Sequence, residues 1–249
     1  MPITQPPDVL KLLAHDVRWN LVQALNLSDY RVQELVEQLN TPMNLISYHL
    51  KLLREAGIVA MHKSEADGRD VYYSLDHNML QHLFDAAGRA LSPALKLEGK
   101  GYSDSNPSSP IRVLFVCTHN SARSQMAEAL LREMSGGKVA AFSAGSAPGS
   151  IHPDAIKVMQ TMNIDIRGQQ SKHWNVFAGQ KFDYVMSVCD RAREICPVFP
   201  GGQAIHWSFP DPVAIEDAPT RKAAFEQTAR QLRMRIEQFL DALHLRDAA

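Results

Sequence analysis

Between Val9 and Leu25 the chain reads VLKLLAHDVRWNLVQAL, and Leu10, Leu13, Val17, Leu21 and Leu25 recur every three or four positions, the period of one helix face. Two further amphipathic stretches, RVQELVEQL and NLISYHLKLLREAGI, are divided by the short NTP turn, where Asn40 or Thr41 is expected to cap the next helix and Pro42 to open it. Beyond Gly57 the period shortens. IVAMHKS and DVYYSL flank EADGR, which predicts a hairpin with Gly68 supplying the unusual backbone angles. HNMLQHLFDAAGRAL predicts a last helix. From Ser92 to Pro110 the sequence SPALKLEGKGYSDSNPSSP is dominated by Gly, Ser, Pro and Asp. No apolar period survives its second half, so residues 92–110 read as a linker between domains at 1–91 and 111–249. No internal repeat is visible.

The second domain opens on IRVLFVC, a continuous apolar run rich in β-branched residues, the pattern of a strand covered on both faces of a parallel sheet. SQMAEALLREM predicts a helix and FDYVMSV another sheet strand. HPDAIKVMQTMNI and RKAAFEQTARQLRMRIEQFLDAL are amphipathic and predict helices packed on that sheet, with His152 in a cap region.

Composition narrows the classes. The 249 residues suffice for one large or two ordinary domains, and 45% hydrophobic with 21% charged residues describes a core-forming chain and excludes a disordered one. The formal net charge of −1 supplies no overall attraction to nucleic acid, so such binding must come from a local patch. No run of eighteen apolar residues occurs and MPITQPPDVL lacks an apolar signal segment, which predicts a cytoplasmic protein without a membrane partner. The three cysteines, Cys117, Cys189 and Cys196, all fall in the second half. An odd number in a reducing compartment argues against a structural disulfide framework.

Three helices followed by a two-stranded hairpin is the plan of a winged helix-turn-helix, so the first domain is expected to be mainly α. In that plan Asn44, Ser47, Tyr48 and Lys51 share the groove-facing side of the recognition helix, and Ile46, Leu50 and Leu53 face the core. Lys51, Arg54, Lys63 and Arg69 are the candidates for phosphate contacts. LAHDVRWNLVQAL, LISYHLKLLREAGIV and GRDVYYSL together resemble the ArsR-type family of metal- and arsenic-responsive repressors across roughly residues 8–91. The resemblance implies a homodimer, paired through the first and last helices, on a palindromic double-stranded DNA operator. The thiolate sensor of arsenic-responsive members needs cysteines here, and this domain has none. Asp76, His77 and His82 do not reproduce the zinc-binding spacing of other members and read as surface residues; no metal site is expected.

The stretch LFVCTHNSARSQMAEAL carries the chemistry of the second domain. Cys117 ends a strand and a helix follows the polar loop, so backbone N–H groups of Thr118, His119, Asn120, Ser121, Ala122, Arg123 and Ser124 are expected to converge into a cradle for a tetrahedral oxyanion. The same positive field favours the thiolate, the nucleophilic form. Ser124 is placed to hydrogen-bond the sulfur, and the planar fork of Arg123 offers two parallel donors to the anion.

This loop, with FPDP near the C-terminal end, resembles the low-molecular-weight protein tyrosine phosphatase fold across about residues 111–245. The resemblance implies an α/β domain with a four-stranded parallel sheet flanked by helices. It also implies Asp211 as the mobile-loop acid and Asn120 as the loop brace; His119 stands where glycine is common. Two chemistries use this cradle. A phosphatase needs only Cys117, and tyrosine phosphatases of this class tend to carry aromatic residues after Asp-Pro, where this chain has DPVAIED. VMSVCDRAREICPVFP instead looks like the redox segment of thioredoxin-coupled arsenate reductases.

That likeness implies catalytic roles for Cys117, Arg123, Cys189, Cys196 and Asp211. Arsenate is reduced to arsenite, a Cys117–Cys189 disulfide passes to Cys189–Cys196, and thioredoxin, as electron donor, restores the thiols; no bound cofactor is required. A disulfide brings α-carbons within about 7 Å, and seven helical residues at about 1.5 Å each overshoot that, so DRAREI is expected to unwind on oxidation. The alternatives are a tyrosine phosphatase fused to the same regulator domain, and a regulator whose second domain only binds phosphate or arsenate. His173, His206 and Trp207 are further candidates for the mouth of the site.

Overall fold

The computed structural model describes residues 5–92 and 110–243, and the chain divides into two units, Met1–Lys100 and Gly101–Ala249. Residues 93–109 of the expected linker lie outside the described residues.

In the first unit the helices are α1 (Asp8–Leu13), α2 (Asp16–Ala24), α3 (Val32–Leu39), α4 (Met43–Glu55) and α5 (His77–Leu91). The strands β1 (Tyr30–Arg31), β2 (Val59–Lys63) and β3 (Val71–Leu75) form an antiparallel sheet in the order β1-β3-β2, with Val59 opposite Leu75 and Lys63 opposite Val71. Helices α3 and α4 make the helix-turn-helix, and β2–β3 the wing.

Three local expectations need correction. The periodic run from Val9 to Leu25 is two helices, because His15 is extended and its Nδ1 accepts the Val17 N–H as the N-cap of α2. Leu13 and Val17 keep the helical period across the break, so periodicity alone hides it. Asn40 ends α3 in the left-handed region (φ 46°) instead of starting the next helix, and Pro42 is the N-cap of α4 instead of its first helical residue. Gly68 does not supply a positive φ to the hairpin. Side chains shape that turn: Ser64 Oγ accepts the N–H groups of Ala66 and Asp67, and Asp67 Oδ1 accepts that of Arg69.

The core of this unit is built from Leu21, Leu25, Leu35, Ile46, Leu50, Leu53 and Ile58, each at most 1% exposed. Truncating one of them to alanine is worth about 2–5 kcal/mol.

The second unit alternates strand and helix: β4 (Ile111–Cys117), α6 (Arg123–Met134), β5 (Val139–Gly145), α7 (Pro153–Thr161), β6 (Tyr184–Ser187), α8 (Asp190–Ile195), β7 (Gln203–His206) and α9 (Ala218–Ala242). Short 3-10 turns lie at Trp174–Phe177 and Pro212–Ala214. All pairings are parallel and the order is β5-β4-β6-β7, the four-stranded sheet expected. Val113 to Val116 of β4 are fully buried, as a central strand requires. Its last pair with β6 is Val116 opposite Ser187, and Val188 N–H donates to Val116 O at 2.9 Å. Continuing that register puts Cys117 level with Val188 and Thr118 level with Cys189, at the carboxyl ends of adjacent strands, where an open α/β sheet places its ligand crevice. Among the described residues no helix is long and apolar enough to cross a membrane.

Candidate active site

Cys117 is the last residue of β4 and Arg123 the first of α6, so residues 118–122 form the whole connection. The cysteine is 3% exposed. Its Sγ accepts the Asn120 N–H at 3.2 Å and lies 2.9 Å from Ser124 Oγ. Asn120 adopts the left-handed conformation (φ 47°), which asparagine tolerates better than most residues. That turn aims its own N–H at the sulfur.

Asn120 is held on every side. Its Nδ2 donates to Ser124 Oγ and Ser143 Oγ, both at 2.9 Å, and its Oδ1 accepts the Lys172 N–H at 2.8 Å. Its carbonyl accepts from Gln125 Nε2 at 3.0 Å and Ser171 Oγ at 2.5 Å. Below it Ser143 donates to the buried Glu128 carboxylate, which also faces Arg132 and Lys172. Gly145 packs so closely under the loop that a Cβ there would stand 2.6 Å from Thr118 O and 2.9 Å from Asn120 N. Of these braces, sequence reasoning found Asn120 and Ser124 and missed Gln125, Glu128, Ser143, Gly145, Ser171 and Lys172. The available signal was the run of small residues Ser143-Ala144-Gly145 inside a strand, a mark of close backbone approach.

The Arg123 side chain, 5% exposed, donates through Nη1 to Phe209 O at 2.7 Å and sets Nη2 2.9 Å from Asp211 Oδ2. The other Asp211 oxygen accepts the Val213 N–H at 3.1 Å, capping the 3-10 turn. Arg221 anchors the far end of this loop, donating to Ile215 O and Glu216 O and through Nε to Asp154 Oδ2 at 3.0 Å. That hydrogen bond is the main cause holding the Asp154 carboxyl below its usual range. Ser121 O accepts the His152 N–H, His152 being the N-cap of α7. Thr118 is half-buried, His119 exposed and Ala122 buried as the N-cap of α6.

Cys189 is the N-cap of α8 and Cys196 its C-cap. Cys189 Sγ is 1% exposed, lies 3.5 Å from Thr118 Oγ1 and accepts the Ala192 N–H at 3.4 Å. Burial pushes this thiol up; Arg123 pulls it down, the charge of Cys117 adds to the rise, and the contacts with Thr118 and Ala192 oppose it. Cys196 is half-buried, and desolvation pushes its thiol up to about 11. Trp207, fully buried against Phe115 and Phe239, does not line the mouth, and His206 is buried as well; His173 caps the 3-10 turn at Trp174.

On α4, Asn44, Ser47, Tyr48 and Lys51 are exposed, while Ile46, Leu50 and Leu53 are buried on the opposite side. Arg54, Lys63 and Arg69 are exposed too, with the Arg69 guanidinium forked onto Asp67 at 2.8–3.2 Å. Asp76 caps α5 by accepting the Met79 N–H; His77 is half-buried and His82 exposed. Among the described residues no three His, Cys, Asp or Glu side chains are grouped to hold a metal ion.

Residues 112–248, more than half of the chain, match the family model described as low molecular weight phosphotyrosine protein phosphatase, and residues 15–60 match that of the bacterial regulatory protein, arsR family. An arsenate reductase of Halalkalibacterium halodurans is 34% identical over 131 residues, 52% of this chain and 94% of that protein. One of Bacillus cereus is 36% identical over 128 residues, 51% of this chain and 92% of its own length. A solved structure of an arsenate reductase in the phosphate binding state is 32% identical, with a TM-score of 0.47, over 53% of this chain and 98% of that one. The chain belongs to the low molecular weight phosphotyrosine protein phosphatase family, with an arsenate reductase-like domain at its C-terminal end and an arsR-family helix-turn-helix domain at its N-terminus.

Proposed function

We propose that the second domain reduces arsenate to arsenite by a thiol relay and that the first binds DNA as a transcriptional regulator. The observation that carries the relay is a second buried sulfur, Cys189, 3.5 Å from the Thr118 hydroxyl of the oxyanion loop. A phosphatase has no use for it.

Arsenate enters the cradle of residues 118–124 with Arg123 against its oxygens. The Cys117 thiolate attacks arsenic, an As–S bond forms, and the departing hydroxide leaves as water with the Asp211 proton. Cys189 then attacks the Cys117 sulfur. The As–S electron pair stays with arsenic, which falls from the +5 to the +3 state, and arsenite departs from a Cys117–Cys189 disulfide. The order of events has an electrostatic basis, since negative charge on Cys117 opposes ionisation of Cys189. Once Cys117 is bonded to arsenic, that opposition ends. Cys196 next attacks Cys189, frees Cys117 and leaves a Cys189–Cys196 disulfide. A dithiol protein such as thioredoxin supplies two electrons to reduce it. Ile195 and Val198, both exposed, flank Cys196 and suit an apolar partner surface.

The functional division is 1–91 for DNA and 111–249 for chemistry, joined through 92–110. Asn44, Ser47, Tyr48 and Lys51 face the major groove of a palindromic operator bound by a homodimer, with Arg69 of the wing near the backbone. The first 116 residues contain no cysteine, so the regulator does not sense arsenite through its own thiolates.

The test is arsenate reduction with thioredoxin, thioredoxin reductase and NADPH, beside aryl-phosphate hydrolysis. Cys189→Ser should abolish the first and spare the second. Aryl-phosphate hydrolysis without arsenate reduction by the unaltered chain would leave the tyrosine phosphatase reading, for which Cys117, Arg123 and Asp211 suffice.

A further inference from the structure

Asp190, the first residue of α8, is a carboxylate only 1% exposed, directly after the relay cysteine. Its Oδ1 lies 3.0 Å from His206 Nε2 and accepts the Ser208 hydroxyl at 2.5 Å. His206, 2% exposed, lies through Nδ1 2.8 Å from Ser187 Oγ. Ser187 ends β6 and His206 ends β7, so α8 is tied at its first residue to the carboxyl ends of two adjacent strands. A buried carboxylate needs such partners. The rest of the helix is held differently. Arg191, Glu194 and Ile195 are exposed, and of residues 191–196 only Ala192 is buried.

We propose that Asp190 and His206 are positioning residues for the relay: they pin the start of α8 to the sheet, so that Cys189 stays against the oxyanion loop while only residues 191–196 rearrange. The proposal rests on the relay reading above. In the step concerned, the Cys196 thiolate attacks Cys189 Sγ in the Cys117–Cys189 disulfide; one S–S bond forms, one breaks, and Cys117 leaves as thiolate with no net change in electrons. Cys189 must then answer two partners in turn. With its backbone fixed, the travelling sulfur is Cys196.

The first measurement uses the unaltered chain. Amide hydrogen exchange, read residue by residue in the reduced protein and after oxidation by oxidised dithiothreitol, should show Val188 and Trp207, whose N–H groups donate to Val116 O and Ser187 O, equally protected in both states. Arg193, whose N–H donates to Cys189 O, should lose protection on oxidation. Loss of protection at Val188 and Trp207 together with Arg193 would overturn the proposal, because the anchor would then move with the helix.

The second uses Asp190→Ala, Asp190→Asn and His206→Gln. Aryl-phosphate hydrolysis should stay within about twofold, which reports an intact oxyanion loop. Oxidation followed by alkylation and peptide mass spectrometry should show the alanine and glutamine variants accumulating Cys117–Cys189 disulfide, with formation of Cys189–Cys196 slowed about tenfold or more. Asp190→Asn, which keeps an acceptor for His206 and Ser208, should restore most of that rate. A wild-type disulfide distribution in all three would overturn the proposal. Failure of the unaltered protein to reduce arsenate sinks the relay reading instead, and both measurements above are made without arsenate.

Discussion

Arg123 Nη2 stands 2.9 Å from Asp211 Oδ2, so the cation proposed to hold the oxyanion is paired with the carboxylate proposed as proton donor. An entering oxyanion competes with that carboxylate for the same guanidinium. Binding of substrate and release of the acid are therefore one exchange of partners.

Asp211→Asn should move two quantities in opposite directions. Turnover of a substrate with a poor leaving group should fall about 10²–10⁴-fold. Inhibition by inorganic phosphate should strengthen several-fold, because the competing negative charge is gone. Steady-state kinetics on phenyl phosphate with phosphate as inhibitor reads both, and unchanged phosphate affinity would refute the competition.

Gly145→Ala tests the packing under the loop. Its Cβ would meet the Thr118 carbonyl at 2.6 Å and the Asn120 nitrogen at 2.9 Å, backbone atoms that have no side-chain slack to yield. A displacement approaching 1 Å costs about 10²-fold in rate. The variant should lose about that much kcat/KM while its thermal unfolding shifts by only a few degrees; wild-type kinetics would mean that the loop relaxes without cost.

In the proposed relay, Cys196 should set the pH dependence of the last internal step. Its thiol is pushed up to about 11 by burial, so the proton stays on through neutrality and the nucleophilic thiolate is roughly 10⁻⁴ of the population at pH 7. Raising the pH should speed Cys189–Cys196 formation about tenfold per unit from pH 6 to 9. Rapid acid quench and alkylation at each pH measures it. A rate that levels off near the ordinary thiol value of about 8.5 would show that α8 opens first and exposes Cys196 to water.

In the first domain, Lys51→Ala and Asn44→Ala should weaken DNA binding in distinguishable ways. Lys51, exposed and 3.8 Å from Glu55, is placed for phosphate; its loss should reduce affinity on every sequence and lower the salt slope by about one. Asn44, exposed and proposed to face the groove, has an amide that can pair bidentately with adenine, so its loss should cost about 1–3 kcal/mol on the operator alone. Fluorescence anisotropy across a salt series separates the two.

The sheet strands, the loop from Cys117 to Ser124 and the recognition helix were legible because each announces itself within a dozen residues: an apolar run, a cysteine-to-arginine spacing, a repeat of buried positions. What escaped detection depends on distant segments meeting. Nothing in QQSKH foretells that Ser171 and Lys172 grip Asn120, and His206 reads as a candidate for the mouth of the site until the strand order sets it beside Asp190. The break at His15 escaped for another reason, since two helices in line can share one apolar stripe.

The neighbouring placement of β4 and β6 carries a consequence for how such an enzyme arises. Residues leaving two hydrogen-bonded parallel strands emerge about 4.8 Å apart, whatever the loops beyond them do. A one-thiol hydrolase on this scaffold is thus a single substitution, at the exit of the adjoining strand, away from a protein that can close a disulfide on its own nucleophile. A third sulfur at the far end of the following helix turns that dead end into a cycle, so redox chemistry can be acquired here in two steps without redrawing the backbone.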